Sequence, residues 1–304
     1  MTTRRDFLVR LSAGLAVAMP SQSRQRAFLP LAEADAIRFG YAAITWGGED
    51  ERAIEDIAAV GFPGIQLRAS VLTRFGDRPR ELRDLLARRR LTFVALSSGN
   101  VSIDPAVESS TIAEHVSHAK FLRDAGGLYL QLIDERPKGR ALESADYVRL
   151  GKVLTEIGKQ TSALGVQVAY HPHMGSIGEK PNDIDRVLDS TDPRYVHLLL
   201  DVAHFQAGGG DPVAAVQRYK DRLLFLHIKD VRRPPGGGPS SYQFVELGRG
   251  GVDLRGVFAA LRDVGFKGWA VVELDRVSVP SESPKEAAAA NKRYLEQAVG
   301  AHIA

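Results

Sequence analysis

The stretch YVHLLLDVAHFQAGGGDPVAAVQRYKDRLLFLHIK (195–229) contains two runs, YVHLLLD (195–201) and LLFLHIK (223–229), that are apolar nearly throughout. A strand with one wet face alternates apolar and polar residues. Runs apolar at both parities belong to strands buried on both faces, the signature of a parallel sheet covered by helices. Residues 212–219 between them carry a helical pattern, so the stretch reads as one strand–helix–strand unit.

Working outward, the unit recurs. Further strands are predicted at IRFGYAAI (37–44), GIQLR (64–68), LTFVALS (91–97), GLYLQLI (127–133), VQVAYH (166–171) and GWAVVEL (268–274). Helical patterns fill 51–60, 79–90, 109–124, 143–164, 182–189, 253–264 and 283–299. AAVGF, DAGG, SALGV and RDVGF each put glycine where a helix must stop in a left-handed conformation before the next strand. Eight such units in about 265 residues predict an α/β fold, a single closed (β/α)8 TIM barrel. No GxGxxG follows the first strand, which removes the main support for a dinucleotide-binding sheet. RRPPGGGPSS (232–241), after the seventh strand, reads as a flexible connection on the catalytic face and a candidate lid.

The chain of 304 residues is 44% hydrophobic and 25% charged, as expected of a globular protein with a sizeable core. It has no cysteine, which excludes disulfides, thiolate catalysis and thiolate metal sites. No run of about 18 uncharged apolar residues reads as a stable membrane span. The N-terminal TRRDFLV (3–9), followed by LSAGLAVAM, resembles a twin-arginine export signal with Ala16-Val17-Ala18 as its cleavage site. Residues 1–27 are therefore assigned to a signal segment, 28–36 to a linker and 37–304 to the barrel, with a periplasmic or exported location expected. Removing residues 1–18, which include Arg4, Arg5, Arg10 and Asp6, lowers the net charge from +3 to about +1. No basic patch with interleaved aromatics remains, and nucleic acid is not an expected partner.

Barrel enzymes build their sites from the C-terminal ends of the strands. Strand five ends in His171, with His173 just beyond Pro172. Strand six ends in Asp201, followed by His204. Strand seven carries His227, Lys229 and Asp230, and strand eight ends in Glu273, then Asp275 and Arg276. Four of the chain's eight histidines fall here. His171, Asp201, His227 and Glu273 offer two imidazoles and two carboxylates, a set suited to one Mn²⁺, Zn²⁺, Co²⁺ or Fe²⁺ rather than Ca²⁺. Alternation points His227 and Lys229 to one side, so Lys229 either reaches over a substrate to neutralise an oxyanion or pairs with Asp230 or Glu273. Trp46, after strand one, stacks on a sugar face or packs in the core. Arg68 after strand two, Glu135 and Arg136 after strand four, and Arg276 either grip substrate hydroxyls or stand as solvated rim residues. His115, His118, His197 and His302 are read as surface or packing residues.

At LLLDVAHFQAGGGDP, FLHIKD and VVELD the chain resembles the xylose-isomerase-like TIM-barrel superfamily of sugar phosphate isomerases and epimerases, over residues 37–299. The resemblance implies that Asp201, His227 and Glu273 ligate one divalent cation, usually manganese or cobalt, with Zn²⁺, Fe²⁺ or Mg²⁺ as alternatives. The fourth ligand, commonly glutamate at the end of strand five, is His171 here. Epimerases of this kind use two carboxylates on opposite faces of a keto-sugar, and only Glu273 of that pair remains. YHPHMGS, ITWGGED (44–50) and AGGGDP are more similar to the inosose dehydratase branch, which removes water from 2-keto-myo-inositol.

Elimination needs a base, a metal to polarise the ketone and an acid for the leaving hydroxyl. Glu273 or His173 would be the base and His204 or Lys229 the acid. The expected substrate is a small carbohydrate or cyclitol: a keto-sugar, keto-glycoside or keto-cyclitol. Export favours an oxidised sugar or glycoside over inositol. Alternatives are an isomerase or epimerase at the same metal, and an exported, non-catalytic sugar-binding barrel. A homo-oligomer is left open. Endonuclease IV, a related barrel with three zinc ions, needs histidines after strands two and three, where QLRAS and ALSSGN have none.

Overall fold

A computed structural model describes residues 37–238 and 241–303. The signal segment and linker assigned to 1–36 lie outside the described residues. Ten strands follow in chain order: β1 (Arg38–Ala42), β2 (Gly64–Arg68), β3 (Thr92–Val101), β4 (Tyr129–Asp134), β5 (Gln167–Tyr170), β6 (Val196–Asp201), β7 (Leu223–Ile228), β8 (Asp230–Arg232), β9 (Gln243–Val245) and β10 (Trp269–Val272). All but β8 and β9 close into one parallel barrel in the order β1-β10-β7-β6-β5-β4-β3-β2, with β2 returning to β1. The predicted TIM barrel is the observed fold.

The helices are α1 (Asp50–Val60), α2 (Leu72–Phe75), α3 (Pro79–Arg88), α4 (Glu108–Asp124), α5 (Ser144–Ser162), α6 (Pro181–Asp189), α7 (Val202–Ala207), α8 (Pro212–Tyr219), α9 (Leu254–Asp263) and α10 (Pro284–Tyr294). Gly61 and Gly265 stop α1 and α9 at φ 89° and 66°, as the AAVGF and RDVGF signals require. Among the described residues no helix is long and apolar enough to cross a membrane.

Two apolar layers explain the uninterrupted hydrophobic runs. A large cluster, including Ile54, Ile57, Leu122, Leu154, Val187 and Leu261, packs the helices onto the sheet. A smaller one, with Ala42, Ala95, Ala169, Leu199, Phe225, Trp269 and Val271, plugs the barrel itself. Because strand side chains alternate, the next inward position above each plug residue lies at the C-terminal rim. Ala169 is followed by His171, Leu199 by Asp201, Phe225 by His227 and Lys229, and Val271 by Glu273. The register seats Asp201 opposite His227, and His227 opposite Val271. The apolar plug is thus the floor on which the polar residues stand.

Two features depart from expectation. A short helix, α7, starts directly after Asp201; LLLDVAH looked like strand end plus loop because six residues are too few to show helical periodicity. The connection around RRPPGGGPSS is anchored rather than simply flexible. Its flanks pair as the antiparallel hairpin β8–β9, with Asp230 opposite Val245 and Arg232 opposite Gln243. Three-residue strands fall below what sequence alternation can reveal.

Candidate active site

His171, Asp201, His204, His227, Lys229 and Glu273 are all buried at the rim. Asp201 shows how the backbone aims them. Its Oδ1 caps α7, accepting hydrogen bonds from the Ala203 and His204 N–H groups at 2.9 and 2.8 Å, and its Oδ2 is left pointing inward with no partner. His227 is held by a buried amide chain. Gln66 Nε2 donates to Gln131 Oε1 at 2.8 Å, so Gln66 Oε1 accepts the His227 Nε2–H at 2.9 Å. That tautomer turns the His227 Nδ1 lone pair toward Asp201 Oδ2 at 3.5 Å and Glu273 Oε2 at 3.3 Å.

A lone pair facing two carboxylate oxygens in a dry pocket is repulsive unless a proton or a metal lies between them. Among the described residues, His171 Nδ1, Asp201 Oδ2 and His227 Nδ1 are buried without any hydrogen bond, and all three belong to this centre. The His171 and His227 rings stand 4.9 Å apart, centroid to centroid.

His204 is also close: one donor atom from each of His171, Asp201, His204 and Glu273 lies within 4.8 Å of the others. Both of its ring nitrogens have other neighbours: Met174 N–H donates to Nδ1 at 3.3 Å, and the Lys229 ammonium lies 3.5 Å from Nε2. His173 is the reverse case. Its Nδ1–H donates to the Met174 carbonyl at 2.8 Å, so the Nε2 lone pair is free, and its ring lies 3.8 Å from that of His204.

Lys229 is the counter-charge. Its Nζ donates to Glu273 Oε1 at 2.9 Å and Asp275 Oδ1 at 2.6 Å, and lies 4.0 Å from Asp201 Oδ2. Burial alone would lower its pKa, but Glu273, Asp201 and Asp275 hold it well above the ordinary lysine value. Burial likewise would raise Glu273, but the Lys229 ammonium helps pull it down to about 2. Asp201 is held well below the ordinary carboxylate value against its burial, with the Lys229 ammonium nearby. Burial keeps His171 and His204 well below 6.5 and therefore neutral. With His171 and His204 neutral, three carboxylates face one ammonium, and those four groups carry a formal charge of about −2, which one divalent cation cancels.

Beside the centre, reaching it at His173 and Asp275, opens a cavity of about 410 Å³, lined also by Tyr242, Phe244, Arg276 and Ser278 among others. A strand-end rim of donors, a dry floor and a cavity beside them form the arrangement that the comparisons with known proteins bear on. A family model described as xylose isomerase-like TIM barrel matches residues 54–298. The chain belongs to this family.

An inosose dehydratase of Lacticaseibacillus casei is 27% identical over 294 residues, spanning 86% of this chain and 96% of its own. The rhizopine catabolism protein MocC of Rhizobium meliloti is 29% identical over 280 residues, spanning 79% of this chain and 82% of its own. Among solved structures, that of IOLI protein with a binding zinc atom superposes at a TM-score of 0.75 and 20% identity, covering 87% of this chain and 98% of the other. At that identity the last likeness is one of fold. The family and these relatives bear out the expectation of an enzyme of the isomerase and lyase kind.

The structure does not gather every residue singled out from this family member's sequence. Trp46 is packed in the core, its Nε1 donating to Asp56 at 3.0 Å and its ring edge-on to Tyr41 at 5.7 Å. Arg68 is exposed at the end of β2. Glu135 faces a separate rim depression, 3.6 Å from Lys138, and Arg136 lies 3.7 Å from Glu179. Arg276 shares the cavity with His173. Of the ion-pair partners considered for Lys229, Glu273 is one. Asp230 instead accepts the N–H groups of Val231, Gly248, Gly250 and Val252 at 2.9–3.0 Å and shapes the loop after β9.

Sequence reasoning assigned no role to Gln66, Gln131, Asp134, Phe244 or Asp275. Asp275 had a signal, since it follows Glu273 at the same parity. Asp134 takes the Tyr170 hydroxyl at 2.7 Å and the Ile177 N–H, pinning the 171–178 loop that carries both histidines.

The protonation pattern predicts acid lability. Burial lowers the His115 pKa from 6.5 to about 4, and it lowers those of His171 and His204 too, so below pH 6.5 the unfolded chain takes up protons that the fold refuses. Glu273, depressed from 4.5 to about 2, adds stability above 4.5 that is lost as pH falls through that window. Both effects have one sign. The melting temperature of chelator-treated protein is expected to fall steadily from pH 7 to pH 4; a flat profile would contradict these protonation states.

Proposed function

We propose that this chain is a divalent-metal-dependent lyase that removes water, or an equivalent leaving group, from a keto-cyclitol, keto-sugar or keto-glycoside. The observation that carries the reading is the convergence of unpartnered, buried His171, Asp201 and His227 atoms with Glu273 at a centre of formal charge about −2. This donor set, two imidazoles and two carboxylates, fits Mn²⁺, Co²⁺, Zn²⁺ or Fe²⁺. A zinc atom bound by the fold neighbour and the inosose dehydratase relatives support the same choice. A cation held there supplies Lewis acidity that favours enolate formation at a ketone.

The residues divide the proton work. Glu273, held near 2 and tied to Lys229, is a ligand rather than a base. His173, with a free Nε2 facing the cavity, takes the α-proton. His204, whose Nε2 lies 3.5 Å from Lys229 Nζ beside the centre, returns one to the departing hydroxyl. Lys229 offsets negative charge growing on the substrate oxygen, its position fixed by Glu273 and Asp275. Histidine rather than a carboxylate at position 171, after β5, favours elimination over epimerisation.

The test is incubation with 2-keto-myo-inositol and with keto-glycosides in D₂O, with and without added Mn²⁺, Co²⁺ or Zn²⁺. Metal-dependent loss of water or of an aglycone is expected. Deuterium incorporation with unchanged composition would establish an epimerase instead, and tight binding without product a binding protein. Gln66 provides a second check, as it orients His227. Gln66→Leu is expected to weaken metal binding by about 10–100-fold. Gln131→Leu, which breaks the same amide pair but spares the His227 contact, should change it far less; equal losses would assign Gln66 a merely structural role.

The twin-arginine-like N-terminus supports an extension of the proposal, that this chemistry takes place outside the inner membrane. Fractionation of cells expressing the full chain and an Arg4→Lys/Arg5→Lys variant tests it: the wild type should be exported and the variant retained.

A further inference from the structure

The mouth of the site has an aromatic wall that the proposed proton transfers do not use. Phe244, on β9, lies over Lys229 with its ring centroid 4.0 Å from Nζ, and 4.6 Å from the His204 ring. Tyr242 follows, 5.2 Å further out and 41% exposed. Two aromatic rings in succession, running from beside the reaction centre toward solvent, form a stacking track for rings.

The track is built rather than loose. Asp230 gathers four backbone N–H groups at the base of the hairpin, and a side chain at Gly250 would strike its carboxylate. Glu246, just past β9, accepts the Ser278 N–H at 2.9 Å and the Arg249 guanidinium at 3.0 Å, tying the hairpin to the loop bearing Asp275 and Arg276. The two walls of the cavity are therefore held in register, with Arg276 on the side facing Tyr242. A cavity of about 410 Å³ beside the centre is larger than a single polyol ring needs.

We propose that Phe244 and Tyr242 form two consecutive ring-binding positions, so that the ligand is a glycoside: the reacting ring lies against Phe244 and a second ring stacks on Tyr242. This rests on the reading of the cavity as the substrate entrance, and it narrows the three substrate classes above to the two-ring one. Tyr242 touches no metal ligand and sits on the surface, so changing it leaves the core intact.

Calorimetric titration of the full chain with unoxidised probes tests the subsite without calling on turnover. The probes are methyl glucoside against cellobiose and maltose. The two-ring probe matching the natural linkage is expected to bind about tenfold more tightly than methyl glucoside. Tyr242→Phe should keep that ratio and Tyr242→Ala should bring it to about one. A wild type that does not distinguish one ring from two, or a preference that survives Tyr242→Ala, overturns the proposal. The two readings fail separately. A two-ring preference without elimination would refute the lyase and leave the subsite, whereas water loss from 2-keto-myo-inositol with no two-ring preference would do the opposite.

Discussion

Asp201→Asn should strip the centre of its metal while leaving the barrel folded. Asparagine keeps an oxygen to accept the Ala203 and His204 N–H groups, so the cap of α7 survives. What changes is Oδ2, the unpartnered oxygen facing His227 Nδ1, which becomes an amide nitrogen with no lone pair to donate. Losing Lewis-acid stabilisation worth several kcal/mol lowers kcat/KM by roughly three orders of magnitude.

Thermal stability separates this from general damage. Wild-type protein gains about 2.7 kcal/mol when metal is present at one hundred times its Kd, and a chelator removes that gain. The variant should melt at one temperature with or without metal, and close to the chelator-treated wild type. Full metal occupancy and activity in Asp201→Asn would dismantle the proposed centre.

Lys229→Met is expected to do the larger structural harm. The methionine fills much of the same space, yet Glu273, Asp275 and Asp201 would lose the ammonium that lies 2.9, 2.6 and 4.0 Å from them. Removing one partner from a buried ion cluster costs about 3–5 kcal/mol, because the remaining charges stay buried and unpaired. That is a large share of a typical stability of about 5–15 kcal/mol. Denaturant midpoints measured at saturating metal should show the loss. A second sign follows from the same geometry: without the ammonium, buried Glu273 and Asp201 shift toward their protonated forms, so the variant should take up more protons than the wild type as pH falls. A midpoint within about 1 kcal/mol of wild type would show that the cluster is solvated rather than dry.

Both variants act on residues already visible in the linear chain, and the reason is periodicity. Runs such as LLFLHIK and VVELD are apolar wherever the barrel is dry, so the first polar residues at the inward parity mark the rim. The eight strands, the barrel and the arrival of His171, Asp201, His227 and Glu273 at one rim were legible for this reason. The roles within the group were not. Which ring nitrogen of His204 or His227 is left to face the centre depends on which finds a partner. Those partners, Met174 from the strand-five loop and Gln66 from β2, lie 30 and 161 positions away.

Tertiary structure also decided against sequence proximity. Lys229 passes over its neighbour Asp230 and pairs with Glu273 and Asp275, because alternation turns adjacent side chains to opposite faces of the sheet. Trp46, after a strand end like the others, turns into the core because a 3-10 turn at Ala43–Trp46 carries it down to Asp56 on α1. The hairpin β8–β9, and with it Phe244 over the site, emerges only from long-range contacts that its glycine- and proline-rich composition conceals. Local pattern therefore determined what this chain could place at one rim. Packing across the barrel alone decided which atom of each residue faces inward, since a tautomer, a cap and an ion pair are each set by a partner distant in the chain.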